Sequence, residues 1–404
     1  MANNNMYILA GGGSGGHLYP GLAVAEALRE LEPEVGILFL CTERGIDERI
    51  LGESGFSFIP QPIVPLPRKV GQVWNFYACW RDSIGLCKGI LQKEQPRAVL
   101  GLGGFASGPA LKVAAKMQIP TTMLNPDAVP GIANRYARRH ARKIFLQWET
   151  SRQYFDKDQS KCVVTGCPIR KSIITKIEKR GAKRALGLEP DRKLLVVMGG
   201  SQGGHNVNRA VVACLKGMKS HIEQGTAQRE ERRARPALPE KRWAQPTLHD
   251  WQILHLTGKE DKKQVAGDYE QAGIAAVVWA YTEQMDKVLA AAELVIGRAG
   301  ASTLAELTAA GVPSILLPYP YHKDQHQNRN AEVLAGAGAA KIVTDAYNEE
   351  KTAKALAVEL GDSMIEGELG KMADAASNLA KPEAAKRVAE ELTGMTNDET
   401  RMTK

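Results

Sequence analysis

Near the start of the chain, a glycine-rich run that ends on a histidine could bind phosphate and move a proton. The run GGGSGGH lies between an apolar segment and an amphipathic one, and it closes on His17. Glycines at such a turn let backbone N–H groups approach a ligand, and a helix N-terminus favours a diphosphate. The partial positive charge at a helix N-terminus also disfavours the protonated imidazolium form of histidine. We therefore expect His17 to be neutral at pH 7 and able to act as a general base. The alternatives are a tight structural turn and a histidine that only binds a loop carbonyl.

Two later segments repeat this arrangement. GGSQGGHNVN follows the apolar run KLLVVM, and GRAGASTLAEL follows LVIG. Ser201 is expected to meet a nucleotide phosphate, and Glu306 could accept hydrogen bonds from a ribose diol. Thr303 and Glu306 also have the T-x-x-E spacing of a capping box, which is the structural alternative. The first run fits G-x-G-x-x-G as well, but no acidic residue follows cleanly at the end of the second strand, which argues against a dinucleotide site.

A polar and aromatic segment, PYPYHKDQHQNRN, follows the apolar run SILLP. Its side chains, among them Asp324, Gln327 and Asn330, could bind sugar hydroxyls. His322 and His326 have the i,i+4 spacing of two metal ligands. Because no third ligand is nearby, no metal site is expected.

Aromatic, aliphatic and basic residues are interleaved in PLPRKVGQVWNFYACWRDSIGLCKGILQK. One interpretation is a buried amphipathic helix with a basic rim. The other is an interfacial patch that rests on anionic lipid. The residues predicted for that patch are Lys69, Val73, Trp74, Phe76, Trp80 and Arg81.

The elements that must position these residues follow from hydrophobic periodicity. Apolar strand-like runs alternate with amphipathic helical stretches, and the pattern restarts at KLLVVMGG. This predicts an α/β protein with two Rossmann-like, doubly wound parallel sheets joined near TGCPIRKSI. Ligands of such sheets bind at the carboxyl ends of the strands, so the main site is expected in the cleft between the domains. The stretch 220–245 is polar and is expected to be a mobile surface loop.

Composition narrows the class of protein. The chain has 404 residues, 44% hydrophobic and 24% charged, which is typical of a globular protein with more than one domain. No apolar run reaches the roughly 18 residues of a membrane-spanning helix, and no signal peptide is evident. The six cysteines form no C-x-x-C pair, which favours a reduced cytoplasmic protein without disulfides. The net charge of +8 suggests an anionic partner, but no nucleic-acid-binding motif is present.

Together, the motifs resemble the MurG family of glycosyltransferase family 28. The similar segments include GGGSGGHLYPGLAVAEAL, GLGGFASGPALKVA, DAVPGIANRYARRHA, VTGCPIR, VVMGGSQGGHNVN and GRAGASTLAELTAAGVPSILLPYPYHKDQHQNRNAEVL, in family order. The resemblance implies a GT-B fold with an N-terminal acceptor domain at 1–168, a UDP-GlcNAc domain at 169–370 and a returning C-terminal helix within 371–404. It implies an inverting transfer of GlcNAc from UDP-GlcNAc to the 4-hydroxyl of the muramoyl-pentapeptide of lipid I, which gives lipid II. No tightly bound cofactor is implied, although a divalent cation is possible.

The resemblance also implies roles for residues at matching positions. His17 would be the catalytic base. The donor contacts would be Ser14, Gly15, Gly16, Asp127, Arg170, Ser201, Thr282, Ala301, Ser302, Thr303, Leu304, Ala305, Glu306 and Gln327. The acceptor side would be formed by Gly103, Gly104, Ser107 and Asn134. Asp127 and His326 replace amides usual in the family, and a carboxylate at 127 cannot donate a hydrogen bond.

Partners and location follow from the same resemblance. The expected partners are UDP-GlcNAc, a polyprenyl-diphosphate-linked acceptor and an anionic membrane surface, at the cytoplasmic face of the inner membrane. The alternatives are another GT-B lipid glycosyltransferase, such as a diacylglycerol glucosyltransferase, and a UDP-sugar-binding protein without catalysis. An NAD-dependent oxidoreductase is disfavoured by the missing ribose acid and the duplicated loop.

Overall fold

The apolar runs predicted as strands form two parallel sheets in the computed structural model, which describes residues 5–67, 69–199, 204–232, 250–321 and 324–402. The strands are β1 (Met6–Gly11), β2 (Gly36–Thr42), β3 (Ser57–Gln61), β4 (Ala98–Gly103), β5 (Thr121–Asn125), β6 (Lys143–Leu146), β7 (Cys162–Val164), β8 (Lys193–Met198), β9 (Trp251–Leu256), β10 (Ala276–Trp279), β11 (Leu294–Gly297), β12 (Ser314–Leu316) and β13 (Ala340–Ile342).

Helices connect these strands, as the alternating pattern predicts. They are α1 (Gly15–Leu31), α2 (Gly45–Gly52), α3 (Val73–Glu94), α4 (Gly108–Lys116), α5 (Ile132–Ala137), α6 (Lys171–Ile174), α7 (Lys179–Ala185), α8 (His205–Arg232), α9 (Lys262–Gln271), α10 (Met285–Ala291), α11 (Ala301–Ala309), α12 (His326–Gly336), α13 (Glu349–Ser363), α14 (Glu368–Asn378) and α15 (Ala384–Met402). Short 3-10 helices cover Val70–Gln72, Phe105–Ser107 and Glu149–Lys161.

Contacts divide the chain into two units. The first comprises Met1–Ile174, Gly300–Glu306 and Lys381–Lys404, and the second comprises Thr175–Ala299 and Leu307–Ala380. The C-terminal helix α15 therefore belongs to the first unit, whereas α14 belongs to the second. The domain boundaries at 168 and 370 stay predictions.

The two sheets share one strand order. In the described residues the first runs β3-β2-β1-β4-β5-β6-β7 and the second β10-β9-β8-β11-β12-β13, with every pair parallel. The predicted doubly wound fold class is confirmed. In each sheet the order reverses beside the opening strand, between β1 and β4 and between β8 and β11. The crevice at such a switch point, at the carboxyl ends of the strands, is where ligands of these sheets bind.

Both faces of the first sheet are covered at its centre, which explains why its central strands β1 and β4 are apolar throughout. Tyr7 and Leu9 of β1 pack with residues of α1 and α15 on one face. Ile8 and Ala10 pack with residues of α3 and α4 on the other. This alternation makes β1 the centre of two cores, and it fixes where the glycine-rich run leaves the sheet.

The expectation of a loop at 220–245 is wrong for its first part. Helix α8 continues to Arg232, so the first part of the polar stretch extends the amphipathic helix that precedes it. Residues 233–249 lie outside the described residues. Among the residues that are described, no helix combines the length and apolar character needed to cross a bilayer.

Candidate active site

The glycine-rich run is held by a buried carboxylate that the sequence analysis missed. Asp47, in the first turn of α2, accepts hydrogen bonds from Gly13 N at 2.8 Å and from Thr42 N and Oγ1 at 2.9 and 2.7 Å. A Cβ built on Gly12 would lie 2.1 Å from Oδ2 of Asp47, and Gly13 has φ +83°. Arg44 Nη1 donates to Gly13 O at 3.0 Å. The loop needs glycine because the chain passes against a side chain and turns left-handed there.

Asp47 also explains why the G-x-G-x-x-G match does not make a dinucleotide site. It lies just after β2, where the ribose acid of such a site is found. Its side chain is fully buried, and both oxygens accept bonds from the glycine-rich loop. The signal that could have identified it is an acidic residue in the first helical turn after the second strand.

His17 lies at the switch point of the first sheet, and its surroundings select one tautomer. Nδ1 is 3.2 Å from the carbonyl oxygen of Gly12 and 3.2 Å from Oγ of Ser14. A carbonyl can only accept, so Nδ1 carries the hydrogen and Nε2 keeps the lone pair. A proton acceptor is thereby directed away from the loop.

The imidazole lies on two glycines that follow β4. A Cβ built on Gly104 would be 2.9 Å from Cε1 of His17, and one on Gly103 would be 3.3 Å from Cδ2. Both glycines have positive φ, +71° and +97°. Ser107 Oγ holds this turn by donating to Gly104 O at 2.9 Å. Only glycine at both positions leaves room for the ring.

Burial lowers the pKa of His17 from its ordinary 6.5, and the carboxylate of Asp127 opposes this shift, followed by the Gly12 carbonyl and Asp47. The imidazole is therefore neutral at pH 7, as expected. The leading cause is loss of hydration rather than the charge of the helix N-terminus.

Asn134 and Asp127 lie on the same edge of the sheet. Asn134 Nδ2 donates to Leu124 O at 3.1 Å and to Asn125 Oδ1 at 3.0 Å. Its Oδ1 is buried, has no hydrogen-bond partner in the described part of the chain, and lies 3.6 Å from the position of a Gly103 Cβ. The backbone carbonyl of Asp127 accepts a bond from Asn125 Nδ2 at 2.8 Å. This edge of the sheet thus holds a buried, unpaired acceptor close to the imidazole.

The capping-box interpretation of Glu306 is wrong. Helix α11 begins at Ala301, and Leu304 N donates to Gly300 O at 3.0 Å, so Thr303 lies inside the first turn. Glu306 Oε1 instead accepts a bond from Arg170 Nη2 at 3.0 Å. Burial raises the pKa of Glu306, and Arg170 opposes the increase.

Arg170 links this pair to the start of α1. Its guanidinium carbon lies 4.7 Å from the centre of the Tyr19 ring. Its Nε is buried without an acceptor in the described residues. Ser302 Oγ lies 3.6 Å from the position of a Gly16 Cβ. Within the first unit, the structure therefore brings the first glycine-rich loop, Arg170 and the start of α11 together.

The other predicted donor contacts have different surroundings. Leu304 is fully buried and its N–H is used within the helix, so it supports the helix start. Ala301 and Ala305 are also buried. In the second unit, Thr282 Oγ1 accepts from Gln284 N at 3.1 Å, and Gln327 Oε1 accepts from Tyr319 N at 2.9 Å. Ser201 lies outside the described residues.

No three His, Cys, Asp or Glu side chains converge to hold a metal ion within the residues that the structure describes. His326 Nδ1 instead lies 2.7 Å from Asp324 Oδ1. His322 lies outside those residues.

Comparisons with known proteins show the family to which the chain belongs. The glycosyltransferase family 28 N-terminal domain matches residues 7–146, and the C-terminal domain of that family matches residues 194–388. A UDP-N-acetylglucosamine–N-acetylmuramyl-(pentapeptide) pyrophosphoryl-undecaprenol N-acetylglucosamine transferase of Halothermothrix orenii is 35% identical over 385 residues, covering 93% of this chain and 95% of the relative. The same enzyme of Geobacter sulfurreducens is 34% identical, with 97% and 99% covered.

Among solved structures, Acinetobacter baumannii MurG aligns with a TM-score of 0.70 and 24% identity, over 96% of this chain and 99% of that one. Two Rossmann-like units with this strand order form a GT-B fold, and the matched family models make the chain a glycosyltransferase. The chain belongs to glycosyltransferase family 28, and within it to the MurG family.

We predict that Asp47→Asn destabilises the first unit by about 2–4 kcal/mol and lowers turnover, because an amide nitrogen would face the Gly13 and Thr42 donors. Chemical denaturation and a steady-state assay measure the two effects. The matched control is Glu48→Gln, an exposed neighbour on the same turn, which should change stability by less than about 0.5 kcal/mol. Equal effects of the two variants would contradict the bracing role of Asp47.

Proposed function

We propose that this chain transfers N-acetylglucosamine from UDP-N-acetylglucosamine to the 4-hydroxyl of the N-acetylmuramyl-pentapeptide on undecaprenyl diphosphate, with inversion, in peptidoglycan synthesis. Family membership supports the reaction. The observation that carries the mechanism is the neutral His17, whose Nε2 lone pair is left available by the Nδ1–Gly12 contact.

His17 would act as general base. As the acceptor oxygen attacks C1 of the sugar, Nε2 takes its proton, and the bond from C1 to the diphosphate oxygen breaks with its electron pair leaving on UDP. The imidazolium that forms is stabilised by the carboxylates of Asp127 and Asp47, both of which favour the protonated ring. Asn134 Oδ1, an unpaired acceptor at the same glycine turn, would accept a hydrogen bond from another hydroxyl of the acceptor sugar and so orient it, because the proton of the reacting hydroxyl goes to Nε2.

The donor would be bound through groups that the chain leaves available. Glu306 would accept hydrogen bonds from the ribose hydroxyls, while its partner Arg170 offers the unpartnered Nε to a phosphate. The first-turn N–H groups of α1, from Gly15 and Gly16, have no acceptor within the helix and suit a diphosphate. Asp127, Thr282, Ser201 and Gln327 remain proposed donor contacts. No resident metal or cofactor is part of this proposal.

The reaction is tested by following UDP release from UDP-GlcNAc with a lipid-linked muramyl-pentapeptide analogue. UDP-glucose with diacylglycerol serves as the second substrate pair. Release with the first pair alone is expected. Release only with the second pair would assign a diacylglycerol glycosyltransferase, and UDP-GlcNAc binding without release would assign a binding protein.

We predict that His17→Ala lowers kcat by about 10²–10⁴ while UDP affinity changes less than about twofold, because a positioned base acts on the transition state. Steady-state kinetics and calorimetric titration of UDP measure the two quantities. A variant within a few-fold of the parent, with chemistry limiting the rate, would remove His17 from the mechanism.

The pH profile of the parent enzyme gives an independent readout of this base. A base is lost as the pH falls through its pKa, and burial places the pKa of His17 below 6.5. The acid limb of kcat/KM should therefore lie below pH 6.5. An acid limb above that value would assign the base to another group.

We predict that Glu306→Ala weakens UDP binding by about 10- to 100-fold, since buried ribose hydroxyls would lose a charged acceptor worth about 1.5–3 kcal/mol. Calorimetry with UDP beside a thermal melt separates binding from stability. The control is Glu332→Ala, which removes an exposed carboxylate paired with Arg329 and should leave both unchanged. Lower stability with unaltered UDP affinity would reduce Glu306 to a structural partner of Arg170.

Membrane contact is proposed for the start of α3 and the turn before it. Val70 is 89% exposed and Trp74 82%, whereas Trp80 is half-buried, with its ring 5.8 Å from that of Tyr136. Arg81 is paired with Asp82 at 3.2 Å, so Lys69 is the stronger candidate for an anionic headgroup. Trp74, Val73 and Lys69 therefore carry the proposed patch, and Phe76 and Trp80 support it. We propose a peripheral enzyme at the cytoplasmic face of the cell membrane.

We predict that Trp74→Ser with Lys69→Ser reduces co-sedimentation with anionic vesicles severalfold, since an interfacial aromatic and about 1 kcal/mol of lysine attraction are lost. The matched control is Val358→Ser with Lys354→Ser on α13, where an exposed valine and lysine lie in the second unit. Unchanged sedimentation of the first variant, with its fold intact, would refute the patch.

A further inference from the structure

Three exposed tyrosines form a continuous aromatic surface in the second unit. Tyr319 and Tyr321 follow β12, and Tyr347 follows β13, so all three lie at carboxyl ends of strands. The ring centres are 5.4 Å apart for Tyr319 and Tyr321 and 4.1 Å for Tyr321 and Tyr347. Their exposed fractions are 37%, 64% and 44%. We call this set the tyrosine surface.

A buried ion pair holds the tyrosine surface in place. Arg298 Nη2 lies 2.9 Å from Asp345 Oδ2, and both side chains are nearly inaccessible. Arg298 Nη1 donates to Leu317 O at 2.9 Å, and its guanidinium lies 5.5 Å from the centre of the Tyr319 ring. One arginine thus joins the loop after β12 to the loop after β13, and the tyrosines are presented on a rigid base.

Tyr347 is held in a conformation that disfavours tyrosine. Its φ is +55°, the left-handed region that glycine and asparagine adopt at lower cost. Asp345 Oδ1 accepts its N–H at 3.3 Å, which stabilises the turn without requiring an aromatic side chain. Strain of this kind, about 1–3 kcal/mol, clusters at sites that bind ligands. Glycine at position 347 would make this turn more stable, so the stability of the fold does not explain why a tyrosine is found there.

The tyrosine surface is continuous with a proposed sugar contact. Gln327 Oε1 accepts the N–H of Tyr319 at 2.9 Å, so the first turn of α12 is tied to the residue that carries the first ring. Tyrosine combines a flat apolar face with a hydroxyl and loses little entropy on binding. A pyranose ring has the matching chemistry, because one face carries axial C–H groups and the rim carries hydroxyls. A bilayer or protein partner would not require the adjacent amide.

We propose that the tyrosine surface is a stacking subsite for an N-acetylated pyranose of the reacting pair. This inference rests on the proposed function and deepens it. Two sources share the chemistry, the GlcNAc of the donor and the muramyl sugar of the acceptor. In either case the rings supply apolar contact while Gln327 binds hydroxyls at the edge.

The test uses Tyr347→Gly and Tyr321→Ala in the full-length chain, with binding as the readout so that turnover is not required. Calorimetric titrations use UDP, UDP-GlcNAc and a water-soluble N-acetylmuramyl-pentapeptide. Tyr347→Gly should keep or raise the melting temperature, because glycine suits the positive φ. It should nevertheless weaken binding of one sugar ligand about five- to tenfold, with UDP affinity unchanged. Ile365→Ala, an exposed apolar truncation in the same unit, is the control.

The sugar ligand whose affinity falls shows which of the two sugars binds the tyrosine surface. Loss of UDP-GlcNAc affinity assigns the surface to the donor sugar, and loss of muramyl-pentapeptide affinity assigns it to the acceptor. If both variants are folded and bind all three ligands as the parent does, the proposal is wrong. Absence of UDP release by the parent would refute the transferase, which is a separate result from these titrations.

Discussion

The contact between the buried carboxylate of Asp47 and the backbone of Gly13 is the constraint on which the first site depends. It aligns the glycine-rich loop, whose Gly12 carbonyl then binds Nδ1 of His17 and fixes the tautomer. Room for the imidazole comes from Gly103 and Gly104 on the adjacent strand end. An acidic side chain about thirty residues downstream therefore governs which nitrogen of the histidine can take a proton.

The second sheet uses a similar device with the charges reversed. At its switch point Arg298, just after β11, is buried against Asp345 and binds the carbonyl of Leu317. In each unit a buried charged group satisfies backbone groups of a loop at the carboxyl edge and keeps that loop rigid. Binding groups held in this way are already ordered before a ligand arrives, which reduces the entropy lost on binding. The repeated strand order explains why the same solution is available twice.

Charge placement distinguishes this site from those of related folds. A dinucleotide enzyme needs a free carboxylate after the second strand, and here Asp47 is engaged by the loop. The acidic group proposed to bind a ribose, Glu306 on α11, lies next to Arg170. Asp127 favours the protonated form of His17. The imidazole therefore has an anionic neighbour besides Asp47.

The sequence by itself determined the doubly wound class, the family and the position of His17, because strand–helix alternation and glycine-rich turns are local patterns. It did not reveal Asp47, Arg298 or Asp345, since one carboxylate or guanidinium in a loop looks like any other until the chain brings its partner close. The capping-box alternative for Glu306 failed for the same reason: helix α11 begins three residues earlier than T-x-x-E suggests, and Arg170 comes from 136 residues away. Two further properties depend on burial. The lowered pKa of His17 and the separation of exposed Trp74 from half-buried Trp80 depend on packing across elements, which only the tertiary structure sets.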